Sequence, residues 1–164
     1  INEAMMKYVE EIVGKGFQVI WQTGKLFAEK AKHETAHLTD KGLFVSDFIY
    51  RMDLAYVIAN CAVSRAGALS ISELCAVGMP SILIPSPNVS EDHQTKNVMA
   101  LVKNNAALML KDDEAIETLG AMVLELMNNK RQQELLAANC KQMAFYDAAS
   151  KIADQVIRLA HEKN

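Results

Sequence analysis

The sequence predicts an α/β fold in which a parallel sheet is covered by helices on both faces. Two observations carry that prediction. Short apolar runs alternate with amphipathic helical patterns along the chain, as strands joined by crossover helices do. One such run ends in a small-residue turn, Val63-Ser64-Arg65-Ala66-Gly67, and a helical pattern opens directly after it, at about Leu69. In sheets of this kind ligands bind beyond the carboxyl ends of the strands, where such a joint sits.

Residues 1–13 place apolar side chains at positions 1, 4, 5, 8, 9, 12 and 13, a helical period that Gly14-Lys15-Gly16 ends. A short buried strand is expected over 17–21, followed by the turn Gln22-Thr23-Gly24-Lys25. A polar helix follows over 26–36, a second strand over 42–45, and a loop at Ser46-Asp47-Phe48-Ile49. The apolar run 56–63 reads as a buried strand approaching the joint, with a helical pattern over 52–58 and the strand itself over 60–63. The helix 69–77 is closed by Gly78 as its C-cap, with Pro80 just beyond. A strand over 81–84 is broken by Pro85-Ser86-Pro87-Asn88. Then come a helix over 93–103, an edge strand over 106–110, and helices over 113–128, 130–145 and 148–162. No internal repeat, low-complexity tract or linker interrupts the chain, so residues 1–164 read as one domain.

A chain of 164 residues can bury a stable core. Hydrophobic residues make up 51% and charged residues 23%, the balance of an ordinary globular protein. The net charge is −3 and the lysines and arginines are scattered, so no basic stripe argues for nucleic acid. No apolar run approaches the roughly 20 residues that cross a bilayer. No stretch reads as a signal peptide. Cys61, Cys75 and Cys140 lack C-x-x-C spacing and lie in apolar segments, as reduced core thiols of a cytoplasmic protein do. The chain enters a helical pattern at Ile1 without a preceding cap or strand, and so reads as a piece of a longer protein.

The joint at 63–73 carries the most specific chemistry. The first amides of a helix lack partners inside it and face outward with the positive end of the dipole, which makes them an anion site. Glu73, one turn in, could accept both hydroxyls of a ribose. The same residues, Ser70-Ile71-Ser72-Glu73, also fit the S-x-x-E capping box. Other post-strand loops converge on this edge: Gln22-Thr23-Gly24, Asp47-Phe48-Ile49 and Ser86 to Gln94. Phe48 can stack on a flat base while the Ile49 backbone reads its edge, or the two can pack down as a small satellite core. Met52 is either core or a neighbour of that base. Arg65 is a charge contact to diphosphate or a surface residue. His93 and Gln94 suit sugar hydroxyls, although His93 could equally be a solvated cap. Asp92-His93 has no second ligand cluster, so no metal is expected. No nucleophile elbow or serine, histidine and aspartate set is evident.

Taken together, Ser64 to Glu73, Gly78-Met79-Pro80, Ile84-Pro85 and Asp92-His93-Gln94-Thr95-Lys96-Asn97 resemble the C-terminal half of the MurG family. Trp21-Gln22-Thr23-Gly24-Lys25, Phe48-Ile49 through Met52, and Ile1-Asn2-Glu3-Ala4-Met5 match as well, so the resemblance spans essentially the whole chain. These are bacterial UDP-N-acetylglucosamine transferases that complete lipid II, the lipid-linked peptidoglycan precursor. The resemblance implies a GT-B glycosyltransferase with two Rossmann-like domains, this chain being the C-terminal, donor-binding one without its first strand. It places uracil at Phe48 and Ile49 with Met52 close by, and diphosphate at Arg65 and the turn from Gly67 through Ala68 and Leu69 to Ser70. Ile71 and Ser72 complete the binding run, Glu73 takes the ribose, and His93 and Gln94 take the sugar. It implies UDP-N-acetylglucosamine as substrate, no tightly bound cofactor and no catalytic residue within this chain. The lipid-linked acceptor belongs to an N-terminal domain that is absent here, and the full-length protein is expected at the cytoplasmic face of the inner membrane. Two other readings remain. One is another UDP-sugar GT-B protein, such as a glycolipid glycosyltransferase or a UDP-N-acetylglucosamine 2-epimerase. The other is a stand-alone UDP-sugar-binding subunit that works with a membrane partner.

Overall fold

A computed structural model describes residues 1–87 and 93–161. Residues 88–92, Asp92 included, and residues 162–164 lie outside the described part. The chain runs α1 (Asn2–Gly14), β1 (Val19–Gln22), α2 (Lys25–Glu34), a 3-10 turn (Ala36–Lys41), β2 (Leu43–Ser46), α3 (Met52–Ile58) and β3 (Ala62–Ser64). It continues with α4 (Ala68–Val77), β4 (Ser81–Leu83), α5 (His93–Lys103), β5 (Leu108–Met109), α6 (Ala115–Asn128), α7 (Lys130–Gln142) and α8 (Ala148–His161).

All strand pairs among the described residues are parallel, in the expected α/β arrangement, but they form two ladders rather than one sheet. β1 pairs with β2, from Val19 opposite Leu43 to Gln22 opposite Ser46. β3, β4 and β5 form the second ladder, with Ala62 opposite Ser81 and Ile82 opposite Leu108.

Alternating residues of β4 serve two cores, because successive strand side chains point to opposite faces. Ile82 joins a cluster with Ala4, Val9 and Ile12 of α1 and Leu119 and Leu126 of α6. Leu83 joins a second cluster with Leu74 of α4, Val98 and Leu101 of α5, and Cys140 of α7. Helices thus cover both faces. At the α1–α6 crossing Gly120 gives room to the Tyr8 ring. A Cβ at Gly120 would lie 2.4 Å from the Tyr8 ring.

Several boundaries differ from the sequence expectation for local reasons. The polar helix stops at Glu34 because Thr35 turns its hydroxyl and its amide back onto the Ala31 carbonyl. A 3-10 turn takes over and ends at Gly42, whose φ of +108° suits glycine. Residues 56–58 of the apolar run belong to α3, so that run is not one strand. β3 is only half-buried, since among the described residues it pairs with β4 alone. β4 is buried throughout. The edge strand shortens to two residues and α7 ends three residues early. α3 and α8 bury no residue, and Ile152, Val156, Ile157 and Leu159 of α8 are exposed. Gly78 closes α4 in the left-handed conformation, as its position predicts.

Among the described residues no helix is long and apolar enough to cross a membrane, and no cluster of three or more histidine, cysteine or carboxylate side chains could hold a metal ion. The three cysteines are free. Burial pushes the Cys61 thiol up to about 11. Cys140 donates to the Cys75 sulfur at 3.6 Å, which lowers the Cys75 thiol and raises that of Cys140.

Candidate functional site

The carboxyl end of β3 delivers the chain to the α4 N-terminus within three residues. Ala66 is fully buried and anchors the turn, and Gly67 is the N-cap. Among the described residues no side chain caps α4. Ser70 and Glu73 lie inside the helix rather than at its cap and third positions, so the capping-box reading does not hold. The Ile71 amide is the first to bond within the helix, donating to the Gly67 carbonyl at 2.9 Å. The amides of Ala68, Leu69 and Ser70 are left without intrahelical partners. Gly67 itself has φ −66° and ψ 147°, a conformation open to any residue. A Cβ there would meet only the Ser70 hydroxyl, at an ordinary 3.7 Å. Neither backbone strain nor packing requires glycine at this position, which keeps the amides open to an approaching anion.

The rest of the run divides by side chain. Leu69 is 83% exposed, so only its amide faces the joint usefully. Ile71 packs on the core shared by α4 and α5. The Ser72 hydroxyl donates back to the Ala68 carbonyl at 2.9 Å, within the helix. Glu73 is exposed on α4, and the Tyr56 hydroxyl of α3 donates to its Oε2 at 3.0 Å. Burial, and then this bond, push the Tyr56 phenol up to about 12.

Arg65 is engaged more fully than the sequence suggests. Its Nη1 pairs with the Asp112 carboxylate at 2.6 Å and donates to the Ile84 and Pro85 carbonyls at 3.3 and 3.2 Å. It braces the ends of β3, β4 and the segment after β5. Asp112 was not singled out by sequence reasoning, although its place just after a strand is the signal that drew attention to the other loops.

The first turn of α5 lies beside that of α4. Asn97 donates from Nδ2 to the Ala66 carbonyl at 3.3 Å, and Gln94 Oε1 accepts from the Ser86 amide at 2.8 Å. Gln94 is thereby placed next to the joint, while His93, at the start of α5, is exposed. The third part of the set lies at the end of β1 and β2. Phe48 is 52% exposed and meets Tyr50 edge-on at 5.2 Å, so it does not pack down as a satellite core. The Ile49 amide donates to Gln22 Oε1 at 2.8 Å, which makes Gln22 a supporting residue that the sequence reading left in its turn. Met52 opens α3, half-buried and outside both cores.

A cavity of about 720 Å3 lies between the outer face of β1–β2 and α3, with Phe48, Ile49, Ile20, Phe44 and Leu54 among its lining residues. It adjoins the proposed base position but does not reach residues 65–73. The polar edge formed by the strand ends, not this apolar cavity, has the chemistry for a charged ligand.

Residues 1–152 match the glycosyltransferase family 28 C-terminal domain. A Porphyromonas gingivalis protein named UDP-N-acetylglucosamine–N-acetylmuramyl-(pentapeptide) pyrophosphoryl-undecaprenol N-acetylglucosamine transferase is 44% identical over 99% of this chain and 43% of its own length. A Cytophaga hutchinsonii protein of the same name is 46% identical over 97% of this chain and 42% of its own. The crystal structure of Acinetobacter baumannii MurG superposes with a TM-score of 0.78 at 26% identity, over 95% of this chain and 46% of that one. The chain thus spans less than half the length of these relatives. With its parallel α/β ladders and its open joint at the β3 edge, it belongs to glycosyltransferase family 28, matching that family's C-terminal domain.

Proposed function

We propose that this chain is the donor-binding part of an inverting N-acetylglucosaminyltransferase, holding UDP-N-acetylglucosamine for transfer to a lipid-linked muramyl-pentapeptide. The observation that carries the reading is the uncapped α4 N-terminus, with three open amides at the carboxyl end of β3 and a carboxylate one turn further in. The names of the relatives and their greater length support it. Diphosphate lies on the amides of Ala68, Leu69 and Ser70, ribose at Glu73, uracil at Phe48 and Ile49, and the sugar towards Gln94 and His93. The acceptor hydroxyl attacks the anomeric carbon, the bond to the diphosphate oxygen breaks, and UDP departs. The α4 amides stabilise the negative charge that grows on the leaving diphosphate. Arg65, held by Asp112, adds positive charge at the same edge. The acceptor, the base for its hydroxyl and the membrane contact belong to the remainder of the protein, so this chain alone binds donor without turning it over.

Calorimetric titration of the full-length protein tests how the pocket is divided. Phe48→Ala should weaken UDP and UDP-N-acetylglucosamine equally, by roughly 5- to 150-fold, as the loss of one base stack worth about 1–3 kcal/mol would. Gln94→Ala should weaken the sugar nucleotide and spare UDP. A Gln94→Ala loss that is equal for both ligands would remove the sugar from the α5 end.

A further inference from the structure

We propose that Tyr56 is a positioning residue for ribose recognition, its hydroxyl holding the Glu73 carboxylate ready to receive the 2′- and 3′-hydroxyls. The inference rests on the donor-site reading above and adds a residue on a different helix to it. Glu73 is exposed, and a free glutamate side chain samples several rotamers that binding would have to restrict. Tyr56 removes that freedom. Its ring is half-buried against the core shared by α4 and α5, so the hydroxyl is delivered from a fixed body. The hydroxyl donates to Glu73 Oε2 at 3.0 Å. A carboxylate offers about four acceptor positions. The phenol takes one, which leaves room for both hydroxyls of a ribose diol. With the phenol pushed up to about 12, the donor hydrogen is present throughout the neutral range. The helix that carries Tyr56 begins at Met52, shortly after Phe48 and Ile49, so α3 links the base end of the pocket to its ribose end.

The opposite role is a competitor, in which the phenol occupies the carboxylate and must be displaced by ribose. Tyr56→Phe separates the two, because it deletes only the hydroxyl and keeps the packed ring. Wild type, Tyr56→Phe, Glu73→Gln and the double variant of the full-length protein are titrated with UDP and with 2′-deoxy-UDP, and their melting temperatures are compared. Positioning predicts that Tyr56→Phe weakens UDP about 3- to 10-fold, weakens 2′-deoxy-UDP less, and melts within a few degrees of wild type. It also predicts that the double variant loses less UDP affinity than the two single losses added together, since both act through the side chain at position 73. Unchanged or tighter UDP binding by Tyr56→Phe, with Glu73→Gln impaired, would overturn positioning while leaving the donor site intact. An equal loss for both nucleotides that adds to the Glu73→Gln loss would also overturn it, reducing Tyr56 to a tether between helices. Wild-type affinity in Glu73→Gln would instead remove the donor-site reading itself, and the role of Tyr56 with it.

Discussion

Glu73→Gln should weaken UDP binding roughly 10- to 150-fold. A hydrogen bond to a charged acceptor is worth about 1.5–3 kcal/mol, and glutamine keeps the shape while losing the charge and one acceptor oxygen. The folded state should hardly notice. Glu73 is exposed, makes no cap for α4, and its one described bond, from Tyr56, can be accepted equally by a glutamine carbonyl. The change in unfolding free energy should stay below about 1 kcal/mol. Calorimetry and a denaturant melt on the same preparation check both halves, and a stability loss matching the affinity loss would make Glu73 a structural residue.

The next residue should behave in the opposite way. Leu74 is 1% exposed and, with Cys75, is one of the two buried residues of α4. It packs in the cluster formed with Leu83, Val98 and Leu101. Leu74→Ala removes that anchor and leaves a cavity beneath the helix that carries the open amides. A loss of about 2–5 kcal/mol in unfolding free energy is expected, read from the denaturant midpoint at unchanged slope. For a domain with a stability of about 5–15 kcal/mol this is a large fraction of the total. UDP should restore part of the lost melting temperature, because it binds only the folded form. A loss below about 1 kcal/mol would mean that α4 is held by something other than this side chain.

These neighbours show what the sequence carried and what it did not. The helical period, the Gly78 C-cap and the glycine turn before α4 are local signals, and they placed α3, α4 and α5 within a residue. Strand ends and the 3-10 turn were less legible, because Thr35 bonding back to Ala31 and a two-residue β5 depend on neighbours that a short apolar run does not name. The break between the β1–β2 and β3–β5 ladders is a matter of pairing, which periodicity does not encode. The same holds at the site. Residues with distinctive chemistry in post-strand loops or in the first turns of the helices after them stood out, among them Phe48, Glu73 and Gln94. Their supports did not: Tyr56 beneath Glu73, Gln22 on the Ile49 amide and Asp112 on Arg65 are contacts between distant segments. Tyr56 reads as one more apolar residue of its run until the fold brings its hydroxyl to a carboxylate.

Whether the donor lies on the α4 N-terminus is tested most directly by amide hydrogen exchange of the full-length protein, with and without UDP-N-acetylglucosamine. The open amides of Ala68, Leu69 and Ser70 should exchange fast in the free protein and slow markedly when the diphosphate accepts from them, with Phe48 and Ile49 protected in parallel. Saturating ligand that leaves those three amides unchanged, while protecting α8 or the outer face of α5 instead, would contradict the placement of the donor.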